Sequence, residues 1–279
     1  MNKEIIPVSK KKHKNYFFHS VYDYSSDFSS YKKLFSCPIF YDEIKHVASC
    51  YPIAFVKNEN GFFYTASIFS LLRDNNLYIN KKNQWTGSYI PAYFRIQPFF
   101  LAKSENIKDN ILCFLSDSPS IKSTSTPNCF PFMDEKGENS KELNRIIKIL
   151  LAIDRNKEKT INALKDLDNL GLIKEFKLII KTDDTKAKQK IKGLYIIDSE
   201  KLKSLSADNL YKLNSNGGLE IAYSQLVSLT TLDSIVKMHK ESGNLLRDSK
   251  SLRDFTIEKQ EKEKKKEQDQ LVENLFDLD

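Results

Sequence analysis

The residues best placed to do chemistry in this chain lie in one aromatic stretch, Trp85, Tyr89, Tyr93 and Phe94 followed by Phe99 and Phe100, with Arg95 among them and Asp74 shortly before. Rings at such spacing can wall a groove. The planar guanidinium of Arg95 can then anchor a carboxylate or phosphate through paired hydrogen bonds. That chemistry is binding, not bond-making. The competing reading is a strand-rich core in which the rings pack on one another and Arg95 reaches to solvent or pairs with Asp74.

Other reactive groups are sparser. His46 and Cys50 are four residues apart and share a face if 42–50 is helical, with Cys37 nearby, so they could seed a metal site. No second Cys/His pair has ligand spacing, and buried free thiols are common. Asp134, Glu135 and Glu138 surround Gly137 and could bind a cation or exchange protons; they also suit a polar turn ahead of a helix, with Glu138 near its positive end. His13, His19 and His239 stand alone. The sequence holds no GxSxG, HExxH or P-loop, so no catalytic residue is assigned and neither a metal nor a cofactor is expected.

The elements that must position these groups follow from periodicity and turn chemistry. Residues 1–36 form a polar, lysine-bearing arm whose aromatics favour docking over disorder. From 37 to about 132 the signals are β-like. Pro52–Val56 and Phe62–Ile68 flank the turn Asn58-Glu59-Asn60-Gly61 and read as a hairpin. Leu77–Ile79, Tyr93–Leu101 and Ile111–Leu115 read as further strands, and 116–131 as a loop. Ser140 can cap a helix carrying Leu143, Ile146, Ile147, Leu150 and Leu151, and a second helix carries Ile161, Leu164, Leu167 and Leu170 up to Gly171. Phe176–Ile180 and Ile191–Ile197 read as a hairpin. Short helices then lead to a longer one from about Leu219 to Met238. Residues 241–279 read as a charged helical tail, Lys/Glu-alternating beyond Glu258, that ends in Leu271, Leu275 and Phe276. The expected fold class is α+β: a mostly antiparallel N-terminal β region, then helices and a β-hairpin, then the tail. Residues 37–240 would be the folded domain.

Composition narrows the setting. The chain has 279 residues, 40% of them hydrophobic, and eight each of Gly and Pro, enough for a sizeable core and unlike a low-complexity protein. A net charge of +7 is too modest for a dedicated nucleic-acid binder, and no such partner is expected. The apolar runs are too short or too interrupted to span a bilayer. No secretory leader follows Lys10-Lys11-Lys12. The four cysteines, Cys37, Cys50, Cys113 and Cys129, form no close pair, as free thiols of a reducing compartment would. The expectation is cytoplasmic, with export by an uncleaved C-terminal signal as the alternative.

From Tyr51-Pro52-Ile53-Ala54-Phe55 onward the chain resembles the SapC family, named for a gene of a bacterial surface-layer locus. The likeness continues through Leu71–Tyr78, Trp85 and Tyr89-Ile90-Pro91-Ala92-Tyr93-Phe94-Arg95-Ile96-Gln97-Pro98-Phe99. It resumes at 134–138, at Gly193–Asp198 and at Leu226-Val227-Ser228-Leu229, covering roughly 5–238. Where the family pattern leads one to expect a histidine, this chain has Gln225. The resemblance implies an accessory role in surface-layer production, acting on a protein or peptide partner such as a surface-layer or secretion component. It implies no particular reaction. Two alternatives stand beside it: an enzyme acting on a peptide or small molecule in a pocket lined by Trp85, Tyr93 and Arg95, and a winged-helix regulator built from 140–198 with Lys186, Lys188, Lys190 and Lys192 on its wing.

Overall fold

The computed structural model describes residues 4–104, 107–181 and 188–242. The strands, in chain order, are β1 (Ile5–Pro7), β2 (Phe17–Phe18), β3 (Ser36–Pro38), β4 (Ile53–Lys57), β5 (Phe63–Ile68), β6 (Phe99–Ser104) and β7 (Ile107–Leu115). They continue as β8 (Ile121–Lys122), β9 (Phe130–Pro131), β10 (Ile173–Glu175), β11 (Leu178–Lys181), β12 (Lys188–Ile191) and β13 (Tyr195–Ile197). The helices are α1 (Ile44–Ala48), α2 (Ala92–Arg95), α3 (Lys141–Asn169), α4 (Ser199–Lys203), α5 (Ala207–Asn216), α6 (Gly218–Ser228) and α7 (Leu232–Glu241). The protein is thus α+β, with antiparallel sheets in the N-terminal half and helices dominating the C-terminal half.

The main sheet has the order β10-β13-β4-β5-β3. Its centre is the β4–β5 hairpin, paired from Ile53↔Ser67 to Lys57↔Phe63. The turn forms because the Asn58 side-chain oxygen accepts from the N–H groups of Asn60 and Phe62, an Asx arrangement favoured in such loops. Ile53, Phe55, Ile68 and Phe69 from this region join Leu164 and Leu167 of α3, Ile221 of α6 and Ile235 of α7 in the larger hydrophobic core.

Two smaller sheets, β1-β7-β6 and β8-β2-β9, enclose a second core in which Phe18, Phe99, Phe114 and Phe132 meet Leu143, Ile146 and Leu150 of α3. The N-terminal arm is therefore woven in: β1 pairs with β7, and β2 lies between β8 and β9.

Several elements differ from the sequence expectations. The two helices expected between Ser140 and Gly171 are one, α3, of 29 residues. Its middle, 152–160, has neither Gly nor Pro and is built mostly of good helix formers, so nothing stops propagation. The polar interval marks the place where the buried stripe changes partner, from the small core to the large one. The winged-helix order needs a break there and loses it. Tyr93–Leu101 is not one strand; α2 precedes β6, with Pro98 between them. Leu77–Ile79 contributes only an isolated bridge, Ile79↔Trp85. The hairpin after α3 is two pairings: β11 with β12, and β10 with β13. The charged tail and Lys186 lie outside the described residues.

β13 meets β4 at a single registered pair, Tyr195↔Phe55. The next pair in that register, Ile197 opposite Ile53, is spanned by a side chain. Gln225 of α6, fully buried, accepts from the Ile197 N–H at 2.9 Å and donates to the Ile53 carbonyl at 3.1 Å. Its carboxamide substitutes for a missing backbone ladder bond. Ser228, one turn on, accepts from the Ile53 N–H at 2.8 Å.

Candidate functional site

Tyr89 organises the aromatic stretch. Its backbone is gripped by Tyr51, whose hydroxyl donates to the Tyr89 carbonyl and accepts from the Tyr89 N–H at 3.1 Å and from Trp85 Nε1 at 3.1 Å. Trp85 Nε1 also donates to the Tyr89 carbonyl, at 2.8 Å. The loop can wrap this closely because position 87 is glycine: a Cβ there would lie 2.1 Å from the Tyr51 hydroxyl oxygen. Burial raises the Tyr51 hydroxyl well above its ordinary pKa, only partly opposed by these hydrogen bonds.

The Tyr89 side chain reaches a buried acid. Its hydroxyl donates to Glu43 Oε2 at 3.0 Å and accepts from Arg95 Nη2 at 2.8 Å. Glu43 is 4% exposed. Its Oε2 also accepts from the Ala92 N–H at 2.7 Å, which caps α2, and its Oε1 accepts from the Phe40 N–H at 3.1 Å. Arg95 Nη2 lies 3.9 Å from Glu43 Oε2. Burial pushes the Glu43 carboxyl above the usual carboxylate range, against the lowering effect of the Ala92, Phe40 and Tyr89 hydrogen bonds and of Arg95. With both oxygens engaged and almost no exposure, Glu43 holds its neighbours and is not placed to exchange protons with a ligand.

The outer edge of this cluster is open. Exposed His46 stacks on the Tyr89 ring at 5.8 Å and 15°, and the Arg95 guanidinium lies 5.4 Å from the centre of the same ring. The Arg95 side chain is 28% exposed; Tyr93, two residues earlier on α2, is half-buried. The predicted groove residues thus separate. Tyr89 and Arg95 share a surface rim with His46, whereas Tyr93 meets Phe94 edge-on. Trp85 and Phe94 are 3% and 0% exposed and pack among Phe28, Phe69, Tyr51 and Tyr78. Phe99 belongs to the smaller core, and Phe100 lies on β6. Asp74 is exposed in a turn at φ 58°. The partner of Arg95 is Glu43, which sequence reasoning passed over; its one local signal is the spacing from Phe40, three residues earlier, that a capping acid would have.

The remaining candidates resolve into structural roles. Among the described residues no three His, Cys, Asp or Glu side chains converge as a metal-binding set. Asp134 Oδ1 accepts from the N–H groups of Lys136 and Glu138, and Glu138 pairs with Lys10, as a polar turn before α3 requires. His239 is fully buried, with Nε2 3.2 Å from Ser70 Oγ. That spacing resembles a nucleophile–base pair, but the same nitrogen accepts from the Leu71 N–H at 3.1 Å. Burial lowers the His239 pKa to about 4, so the ring is neutral and locks a loop. No described helix is long and apolar enough to cross a membrane.

The fold is a mixed α+β body in which hydrogen bonds join Tyr51, Trp85, Glu43 and Arg95 around Tyr89. The chain belongs to the SapC family, whose model matches residues 8–235. No curated protein and no solved structure matches it significantly.

Proposed function

We propose that the protein is a cytoplasmic accessory factor of bacterial surface-layer production that holds a protein or peptide partner, with the rim of His46, Tyr89 and Arg95 as its contact. Membership of the family supports the setting, and four free cysteines support a reducing compartment. The observation that carries the binding reading is the state of Arg95. Its guanidinium is fixed through Nη2 by Tyr89 and Glu43; Nε is buried without a hydrogen-bond partner, and Nη1 has none among the described residues. A pre-positioned guanidinium at a half-exposed rim suits an acidic side chain or terminal carboxylate of a partner.

The enzyme alternative has less behind it, because Trp85 and Phe94 are packed into the core and Glu43 is saturated. The test is affinity capture from the native host on immobilised wild type and on Arg95→Gln, with circular dichroism to check that the variant folds. Enrichment of an identified surface-layer or secretion component on wild type, lost on Arg95→Gln, is the expected result. Equal recovery of such a component on both, or its recovery on neither, would refute the reading. Trp85→Ala is not a useful probe here, since it opens the core.

A further inference from the structure

A cleft of about 540 Å³ opens between the segment around His19–Tyr31 and the loop from Pro119 to Asn128, with Gln97 completing its wall. That volume falls within the roughly 300–1,000 Å³ of small-ligand sites. Both walls are held in place. The His19 N–H donates to the Ser120 carbonyl at 2.9 Å; the His19 ring lies 3.2 Å from the Asn128 carbonyl and 3.2 Å from Thr126 Oγ1. Opposite, Asp23 Oδ1 accepts from the Ser25 N–H and both Ser25 and Ser26 hydroxyls.

The chemistry of the lining is selective. Among the described residues no lysine or arginine lines the cleft, and the one acid that does, Asp27, is occupied by the N–H and hydroxyl of Ser29. Arg145, whose Nη2 donates to the Ser20 hydroxyl at 3.4 Å, is already paired with Glu142, so an anion would find little free counter-charge, and the few apolar groups could not hold a greasy ligand. The side chains of Gln97, Asn128, Ser30 and Ser120, by contrast, have no hydrogen-bond partner among the described residues. Each amide offers donors and an acceptor side by side, the complement of neighbouring hydroxyls on a sugar ring. Tyr22 supplies a platform: it is 52% exposed and perpendicular to Phe130 at 5.2 Å and 90°, and its exposed ring surface suits the C–H face of a sugar. An extended peptide would need free main-chain groups along an edge, and the His19–Ser120 pairing uses those.

The geometry points to this cleft as a binding site for a neutral carbohydrate of a few sugar units, read by the amides of Gln97 and Asn128 and stacked on Tyr22. It is a different surface from the Arg95 rim and does not depend on it. The test begins with an array of neutral hexose and N-acetylhexosamine oligosaccharides, and takes the strongest ligand into calorimetry. Gln97→Ala/Asn128→Ala and Tyr22→Ala should each weaken binding at least tenfold with the thermal midpoint kept, while Arg95→Gln binds as wild type. The assignment is overturned by an array with no binding, by affinity unchanged in the cleft variants, by its loss in Arg95→Gln, or by an uncharged Gly-Ser peptide binding at the cleft in place of any sugar.

Discussion

The larger core and the smaller one are built on different principles, although α3 runs through both. Around the main sheet, Glu43, Ser67, Ser70, Asn76, Gln225, Ser228 and His239 are all buried, and most are wired to a backbone group far away in sequence. The smaller core has few such groups; His13 lies among Tyr16, Phe114 and Phe132, and Ser140 caps α3. Its rings meet edge-to-face, Phe132 with Phe18, Phe99 and Phe114 at 5.4 to 5.7 Å, as Phe69 and Trp85 do in the larger core, but with little polar wiring among them. Buried hydrogen bonds fix one arrangement and are costly to leave half-made, whereas ring packing tolerates a change of shape if volume is kept. The larger core should be brittle to polar truncation and the smaller one forgiving of apolar exchange.

The strongest way to break that contrast is at Glu43. Glu43→Ala strands the N–H groups of Phe40 and Ala92, the Tyr89 hydroxyl and the Arg95 charge, and should cost about 3–5 kcal/mol in urea unfolding. Glu43→Gln keeps one acceptor but turns its amino group onto either the Phe40 or the Ala92 N–H, so it should cost less than Glu43→Ala yet still about 1–3 kcal/mol. The carboxyl itself adds a pH signature. Its folded pKa is raised, so the stability gained by protonating it is complete below the unfolded value near 4.5 and disappears as pH rises through the folded value. Acidification should therefore favour wild type over Glu43→Gln. A Glu43→Ala cost below about 1 kcal/mol would show that the cluster is ornamental.

Gln225 is the next test. Gln225→Leu keeps the volume but leaves the Ile53 carbonyl and the Ile197 N–H buried without partners, a loss of about 2–4 kcal/mol. Amide exchange should report it locally, with the Ile197 N–H losing protection first. Unchanged protection there would mean that β13 and β4 close the ladder on their own.

These two residues also mark how far the sequence could be read. The β4–β5 hairpin and its Asn58–Gly61 turn, the Ser140 cap and the stop at Gly171 were legible because each is decided by residues within a few positions. The stretch that carries the family resemblance was legible as well. Glu43 and Gln225 were not: one bonds the Ala92 N–H 49 residues away and the other the Ile53 carbonyl 172 residues away, and no local pattern encodes such a partner. The same holds for the cleft, whose walls come from the arm and from a loop rich in Ser, Thr and Pro. The expected helix break near 152–160 failed for the converse reason: a change of packing partner looked like a change of element.

His239 should report a smaller, pH-dependent effect. Its folded pKa of about 4 lies below the unfolded value near 6.5, so the neutral ring's contribution is fully present above pH 6.5 and is lost as pH falls toward 4. Between pH 6.5 and 5 that loss is roughly 2 kcal/mol. Urea unfolding at the two values should show it in wild type and not in His239→Gln. An equal slope in both proteins would place the acid sensitivity elsewhere.

The smallest expected effect is the one that completes the contrast. Phe132 is fully buried at the centre of the smaller core, so Phe132→Ala should cost the ~3–5 kcal/mol of any large cavity. Phe132→Leu retains most of the volume and orphans no polar atom, and neighbouring rings can tilt to meet it; the loss should be about 1 kcal/mol. The measurement is the urea midpoint at constant m-value, because a change in m would signal a looser native state and not a simple loss of contacts. If Phe132→Leu costs as much as Gln225→Leu, the edge-to-face geometry is itself specified, and the two cores differ in chemistry but not in tolerance.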